Sequence, residues 1–294
     1  MLQPGLRALI PTIGFIFAGQ TLAAVPAVAY KTEKYYDLSG SLGFISAVGF
    51  SLYGPALVDK YLRGNTLAVL PSMRSFAPRQ LIASGLVLLW AARLGSFLYQ
   101  RIQKSGKDER FDEIKQSPPK FFGAWMMQAA WISLTAMPVW LINAVPARMH
   151  PALGAWDAVA LGIWAAGWGL EVVADRQKSA WRARKDAGEH NEGFNHDGVW
   201  TWSRHPNYAG EVTLWFGQFL LAAGVLRGAS AAGFGPWSVG LAASSPVLEY
   251  CLIRFISGVP MVEKNMDKKL KDDAEYKKYK ATVPCFWPFI GPVN

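Results

Sequence analysis

Charge is scarce in this sequence. Asp, Glu, Lys and Arg make up 17% of 294 residues, against about a quarter in soluble domains. Cysteine is scarcer: Cys251 and Cys285 are too few for a disulfide framework and have no metal-ligand spacing. Four histidines, His150, His190, His196 and His205, lack the spacing of a zinc site, and we expect no metal. No ten-residue stretch alternates apolar and polar residues, which argues against a transmembrane β-barrel. There is no internal repeat and no low-complexity segment.

What is abundant is apolar sequence. It makes up 51% of the chain, with 13 Trp, and it falls in long blocks. Seven segments, roughly 6–30, 38–60, 79–100, 121–146, 152–174, 207–226 and 233–257, approach or exceed the roughly 20 residues a helix needs to cross a bilayer. Only helices and closed barrels satisfy their backbone in lipid. The fold class is therefore all-α, a polytopic membrane protein of about seven helices. Arg7, an apolar run and Ala27-Val28-Ala29 resemble a signal peptide, but the run is long for that role and we read it as a retained helix.

The basic residues are unevenly placed. With seven spans, one side collects the loops 31–37, 101–120 and 176–204 and the tail after 258. That side carries 21 Lys and Arg against 7 on the other. The asymmetry predicts a cytoplasmic C-terminus in an integral, multi-pass protein, of the endoplasmic reticulum in a eukaryote or the inner membrane in a bacterium. The net charge of +9 then reflects orientation and attraction to an anionic bilayer. Nucleic acid is not expected as a partner, because no soluble domain organises these cations.

We expect one membrane domain over 1–294, with substrate-side helices in 1–150 and a cofactor-binding part in 151–294. Glu171, Asp175, Lys178 and Arg182 stand at helical offsets that place them within about 60° of one another. This face runs from acidic within the bilayer to basic at its end. Carboxylates in a span are costly and tend to face a cavity. The cations alone fit snorkelling equally well. Farther on, Trp200, Arg204 and His205 lead into Pro206, a residue suited to the first turn of a helix. Asn207 and Glu211 are then neighbours one turn apart. First-turn N–H groups, with Arg204 and His205, favour an anion such as a phosphate. Interfacial Trp and Tyr account for the aromatics by themselves, but not for Asn207 and Glu211. In the tail, Tyr276 and Tyr279 sit among lysines, in a segment that also reads as a basic helix lying on anionic lipid.

These residues resemble a known superfamily. Gln177-Lys178-Ser179-Ala180-Trp181-Arg182, Trp200 followed by Arg204-His205-Pro206-Asn207-Tyr208-Ala209-Gly210-Glu211, and Tyr279 to Pro284 are similar, in order, to motifs of membrane reductases with a steroid 5α-reductase-type C-terminal domain, the sterol C14-reductases among them. The N-terminal half, with Trp90-Ala91-Ala92-Arg93-Leu94, most resembles the uncharacterised DUF1295-type branch. The resemblance implies NADPH as cofactor, held by Asp175, Lys178, Arg182, Trp200, Asn207, Tyr208, Glu211 and Tyr279; the donors Arg204 and His205 and the tail residue Tyr276 join them as cofactor-binding candidates from the residue pattern itself. It departs in the second span, which has no Glu to pair with a Tyr of the third, where Trp90 stands near the expected position. Glu211, Tyr208 and Tyr53 are the candidate catalytic residues.

The function expected is NADPH-dependent reduction of a C=C bond in a membrane lipid, namely a sterol, a steroid enone or an enoyl lipid. Two alternatives stand. One is an S-adenosylmethionine-dependent methyltransferase of the isoprenylcysteine carboxyl type, which shares R-H-P-x-Y-x-G and tail tyrosines. The other is a non-enzymatic lipid or sterol binder that keeps the fold.

Overall fold

The computed structural model describes residues 4–106 and 108–288. Among them the chain is all-helical, without a strand. The α-helices in order are α1 Pro4–Ala29, α2 Tyr36–Leu57, α3 Pro78–Ser105, α4 Pro118–Thr135, α5 Met137–Ala144, α6 Ala155–Asp186, α7 Pro206–Leu226, α8 Pro236–Cys251, α9 Val259–Lys269 and α10 Ala274–Thr282. Six stretches are long and apolar enough to cross a bilayer: Gly5–Ala29, Tyr36–Leu62, Pro78–Gln103, Ala155–Asp186, Pro206–Leu226 and Pro236–Lys269. Taken as one span, α4 and α5 make a seventh. The chain is thus a multi-pass integral membrane protein in a lipid bilayer.

The structure corrects three boundaries. The fourth segment is not one straight helix: it bends by 56° between α4 and α5. Pro138 in the first turn of α5 has no N–H to give. The Val139 N–H turns to the Ala136 carbonyl at 2.9 Å, and the Thr135 carbonyl that a continuous helix would have paired with it accepts from the Ser245 hydroxyl, which keeps a backbone group satisfied in an apolar setting. The loop read over 176–204 is helical as far as Asp186, because α6 runs on for 32 residues. The last span does not end at 257: α8 passes through a π-helical turn over Leu252–Ile256 and, past Gly258, into α9.

The helices fall into two compact units, one of Met1–Asp157 with Phe219–Ser245, the other of Ala158–Gln218 with Pro246–Asn294. The first unit joins α1 to α5. Phe44 meets Trp90 and Trp131 edge-on, each at 5.0 Å between ring centres. Side-chain amides tie helix to helix, as expected where lipid gives little hydrophobic drive between them. Gln128 Nε2 donates to Gln20 Oε1 (2.9 Å) and Gln20 Nε2 to the Ser39 carbonyl (3.0 Å). Asn143 Nδ2 donates to Ser51 and Ser84 Oγ at 2.8 and 3.1 Å. The ion pair of Arg79 with Asp157 is buried. Arg79 grips Asp157 through Nε (2.7 Å) and a terminal nitrogen (2.8 Å), and its other terminal nitrogen donates to the Pro151 carbonyl at 3.1 Å. Asp157 in turn accepts from the Gly154 N–H, which fixes the start of α6.

The second unit is built on the contact of α6 with α7. A Cβ on Gly210 would lie 2.6 Å from the Gly167 carbonyl oxygen, and one on Gly217 only 2.8 Å from the Trp164 nitrogen. The two glycines are seven residues apart on one face of α7, so the backbones approach as small residues allow. Below them Ala209, Val212, Ile253, Val259, Cys285 and Phe286 form a core that brings the C-terminal segment against the start of α7.

Candidate functional site

α6 carries the predicted face. Its four residues become more exposed in order: Glu171 is buried, Asp175 half-buried, and Lys178 and Arg182 exposed. Arg182 makes no hydrogen bond or ion pair among the described residues. The segment entering α7 closes on this face. Gly198 takes φ +58°, and a Cβ there would meet the Gln177 side chain at 2.3 Å. Gln177 Oε1 instead accepts from the Val199 N–H at 3.0 Å. That turn delivers Trp200, buried, with its indole N–H donating to the Ala174 carbonyl at 3.2 Å. The Lys178 ammonium lies 5.3 Å from the centre of the Trp200 ring, a cation–π distance.

α7 begins at Pro206, as its missing N–H favours. Asn207, in the first turn, reaches across to α6, where Nδ2 donates to Asp175 Oδ1 at 3.3 Å. Glu211, half-buried, follows one turn on. The Tyr208 ring lies nearly parallel to that of His205, 13° apart with centres at 5.6 Å.

The remaining expected cofactor residues bind protein groups. Arg204 is buried; its Nε donates to Glu263 Oε1 (2.9 Å) and Nη1 to the carbonyls of Lys280 (2.6 Å) and Val283 (3.1 Å). A cation thus caps the free carbonyls at the end of α10. His205 Nε2 shares Glu263 Oε1 at 3.2 Å. Burial holds the His205 imidazole below its ordinary pKa, against the opposing pull of Glu263. The Tyr279 hydroxyl donates to the Trp200 carbonyl at 2.7 Å and that of Tyr276 to Asp267 at 2.9 Å. Burial raises the pKa of both phenols. Tyr53 belongs to the first unit, where its hydroxyl donates to Met73 Sδ at 3.0 Å.

Glu263 is the residue that sequence reasoning left without a role. Its second oxygen lies 3.3 Å from the Lys280 ammonium. A single acid a few residues past an apolar run, facing an Arg-His pair 58 and 59 positions away, gives almost no local signal. His205, Glu263 and Cys285 present ligand atoms within 4.8 Å of one another. The carboxylate is already matched by Arg204 and Lys280, so a divalent cation there would meet like charge, and we assign no metal.

The description "Protein of unknown function (DUF1295)" belongs to a family that matches residues 61–283, three quarters of the chain. The chain belongs to this family. The DUF1295 match takes in the residues from Asp175 to Tyr279 that the sequence offers as cofactor candidates and leaves Tyr53 outside. A Schizosaccharomyces pombe relative described as "Uncharacterized protein C594.04c" is 29% identical over 169 residues, covering 49% of this chain and 48% of the relative. The chain thus spans about half the length of that curated relative. No solved structure matches this chain.

Proposed function

We propose that this DUF1295 chain is an NADPH-dependent membrane reductase of a C=C bond in a lipid, a sterol, steroid enone or enoyl lipid. The observation that carries the reading is the single face of α6. It presents an amide–carboxylate pair, Asn207 with Asp175, then the Lys178 ammonium over Trp200, then the exposed Arg182. Asp175 to Arg182 spans about 10 Å of helix. An extended ligand with a polar ring at one end and phosphates at the other suits that order of groups.

The residues fit the cofactor in composition. Lys178 and Arg182 match phosphate charge. Trp200, fixed by the Ala174 carbonyl, offers a rigid aromatic edge beside them. Asn207 and Glu211, one turn apart, would orient a carboxamide. Bound there, NADPH supplies the hydride; positioning and polarity are the protein's part. A Tyr208 hydroxyl near a polarised substrate group would give the proton. Arg204, Tyr276 and Tyr279 support the site from behind, since their polar atoms hold the C-terminal segment.

The test is thermal unfolding of the full chain in detergent with NADPH, NADH or S-adenosylmethionine. NADPH should raise the midpoint. Arg182→Ala should unfold at the unliganded wild-type temperature, because the side chain is exposed, yet bind NADPH roughly ten- to a hundredfold more weakly. Equal affinity in the variant would return Arg182 to a solvated helix end. A response to S-adenosylmethionine in place of NADPH would make the chain a methyltransferase, and none to any of the three would leave a lipid binder.

A further inference from the structure

The C-terminal segment sorts its charges. Among residues 259–282 the acids are Glu263, Asp267, Asp272, Asp273 and Glu275. Three of them are used internally. Glu263 takes Arg204, His205 and Lys280. Asp267 takes Lys280 and the Tyr276 hydroxyl. Asp273 caps α10 by accepting from the Tyr276 N–H at 3.0 Å. The lysines are treated the other way. Lys264, Lys268, Lys269, Lys271, Lys277 and Lys278 are all exposed, with no hydrogen bond or ion pair among the described residues. Asp272 and Glu275 stay exposed as well, so the outward surface sets six lysines against two acids without an internal role.

Two further observations say what this surface meets. Phe255, Ile256 and Met261 are exposed apolar residues at the end of the last span, so lipid covers that level. α9 continues from Met261 at about 1.5 Å per residue, which sets Lys264 about 5 Å and Lys268 about 10 Å farther along, the depth of a headgroup layer. Between α9 and α10 lies an open groove of about 420 Å³. Leu270 and Ala281 give it apolar walls, and Lys271 and Lys277 stand at its rim. Asp267, also in its lining, is neutralised by Lys280.

From this we infer that the α9–α10 groove is a binding site for the headgroup of an anionic phospholipid, its phosphate held by Lys271 and Lys277 and the carbon atoms of the headgroup against Leu270 and Ala281. The site is separate from the face of α6 and does not depend on the reductase reading. A built site differs from diffuse attraction in one respect: two particular lysines carry the effect. Diffuse attraction would weaken alike for any two of the six.

The test uses the full chain in nanodiscs of phosphatidylcholine, with and without phosphatidylglycerol, read by thermal unfolding. Wild type should gain several degrees with the anionic lipid. Lys271→Gln/Lys277→Gln should match wild type in phosphatidylcholine, because both side chains are exposed, and lose most of that gain. Lys264→Gln/Lys268→Gln should keep most of it. Equal losses in the two double variants, or no dependence on phosphatidylglycerol in wild type, would overturn the site. Stabilisation of the phosphatidylcholine sample by millimolar inorganic phosphate to the same degree would assign the groove to free phosphate and overturn the lipid.

Discussion

Glu263 takes its partners, cationic side chains and a histidine, from two separate segments. Arg204 and His205 precede α7; Lys280 lies in α10. Because Arg204 is buried, its charge depends on that carboxylate and on the carbonyls of Lys280 and Val283. Replacing one partner of a buried pair leaves the other uncompensated, at a cost of roughly 3 kcal/mol or more. Glu263→Gln should therefore lower the unfolding midpoint of the detergent-solubilised protein by several degrees. Adding Arg204→Met should recover part of the loss, since the stranded charge is then gone. A single variant that melts with wild type would show that the carbonyls alone hold Arg204. Arg79 and Asp157 follow the same logic in the first unit, where both partners are almost fully buried.

At the scale of helices, α6 and α7 are joined through glycine. A Cβ on Gly217 would fall 2.8 Å from the Trp164 nitrogen and 2.9 Å from the Ala160 carbonyl oxygen, both backbone atoms that cannot turn aside. Gly217→Ala must push the helices apart and should destabilise by about 1–3 kcal/mol, the range for overpacking. Gly240→Ala, in α8 with nothing within 4 Å, is the control and should melt with wild type. Equal midpoints for the two would mean that the α6–α7 contact is slack. Much of this level could be read from sequence. Spans announce themselves by apolar length, Pro206 marked the start of α7, and the 100° rotation per residue put Glu171, Asp175, Lys178 and Arg182 on one face. What could not be read depends on distant partners. The grip of Arg79 on Asp157 joins residues 78 apart. The bonds of Arg204 to Glu263 and to the Lys280 carbonyl join residues 59 and 76 apart, and nothing beside Arg204 in the sequence announces either. The break at Ala136 needed Ser245 to take up a carbonyl 110 residues away.

For the molecule as a whole, the uneven distribution of Lys and Arg, 21 on one side and 7 on the other, predicts that the basic C-terminal segment faces the cytoplasm. Cysteine accessibility tests it: in a Cys251→Ser/Cys285→Ser background, Lys271→Cys in sealed vesicles should react with an impermeant maleimide only from the cytoplasmic side. Labelling confined to the opposite side would invert the orientation and, with it, the compartment from which NADPH could reach Lys178 and Arg182. The hold of Arg204 on α10 also sets an order of events in biosynthesis. Lys280 is made 76 residues after Arg204. Glu263 follows Arg204 by 59 residues, in α9, and the α10 carbonyls come after it, so the guanidinium gains its carboxylate first and its carbonyls second. A chain stopped before α9 would have threaded α7 and α8 through the bilayer and still carry an unbalanced cation at the mouth of α7, so the start of α7 settles only after segments made much later.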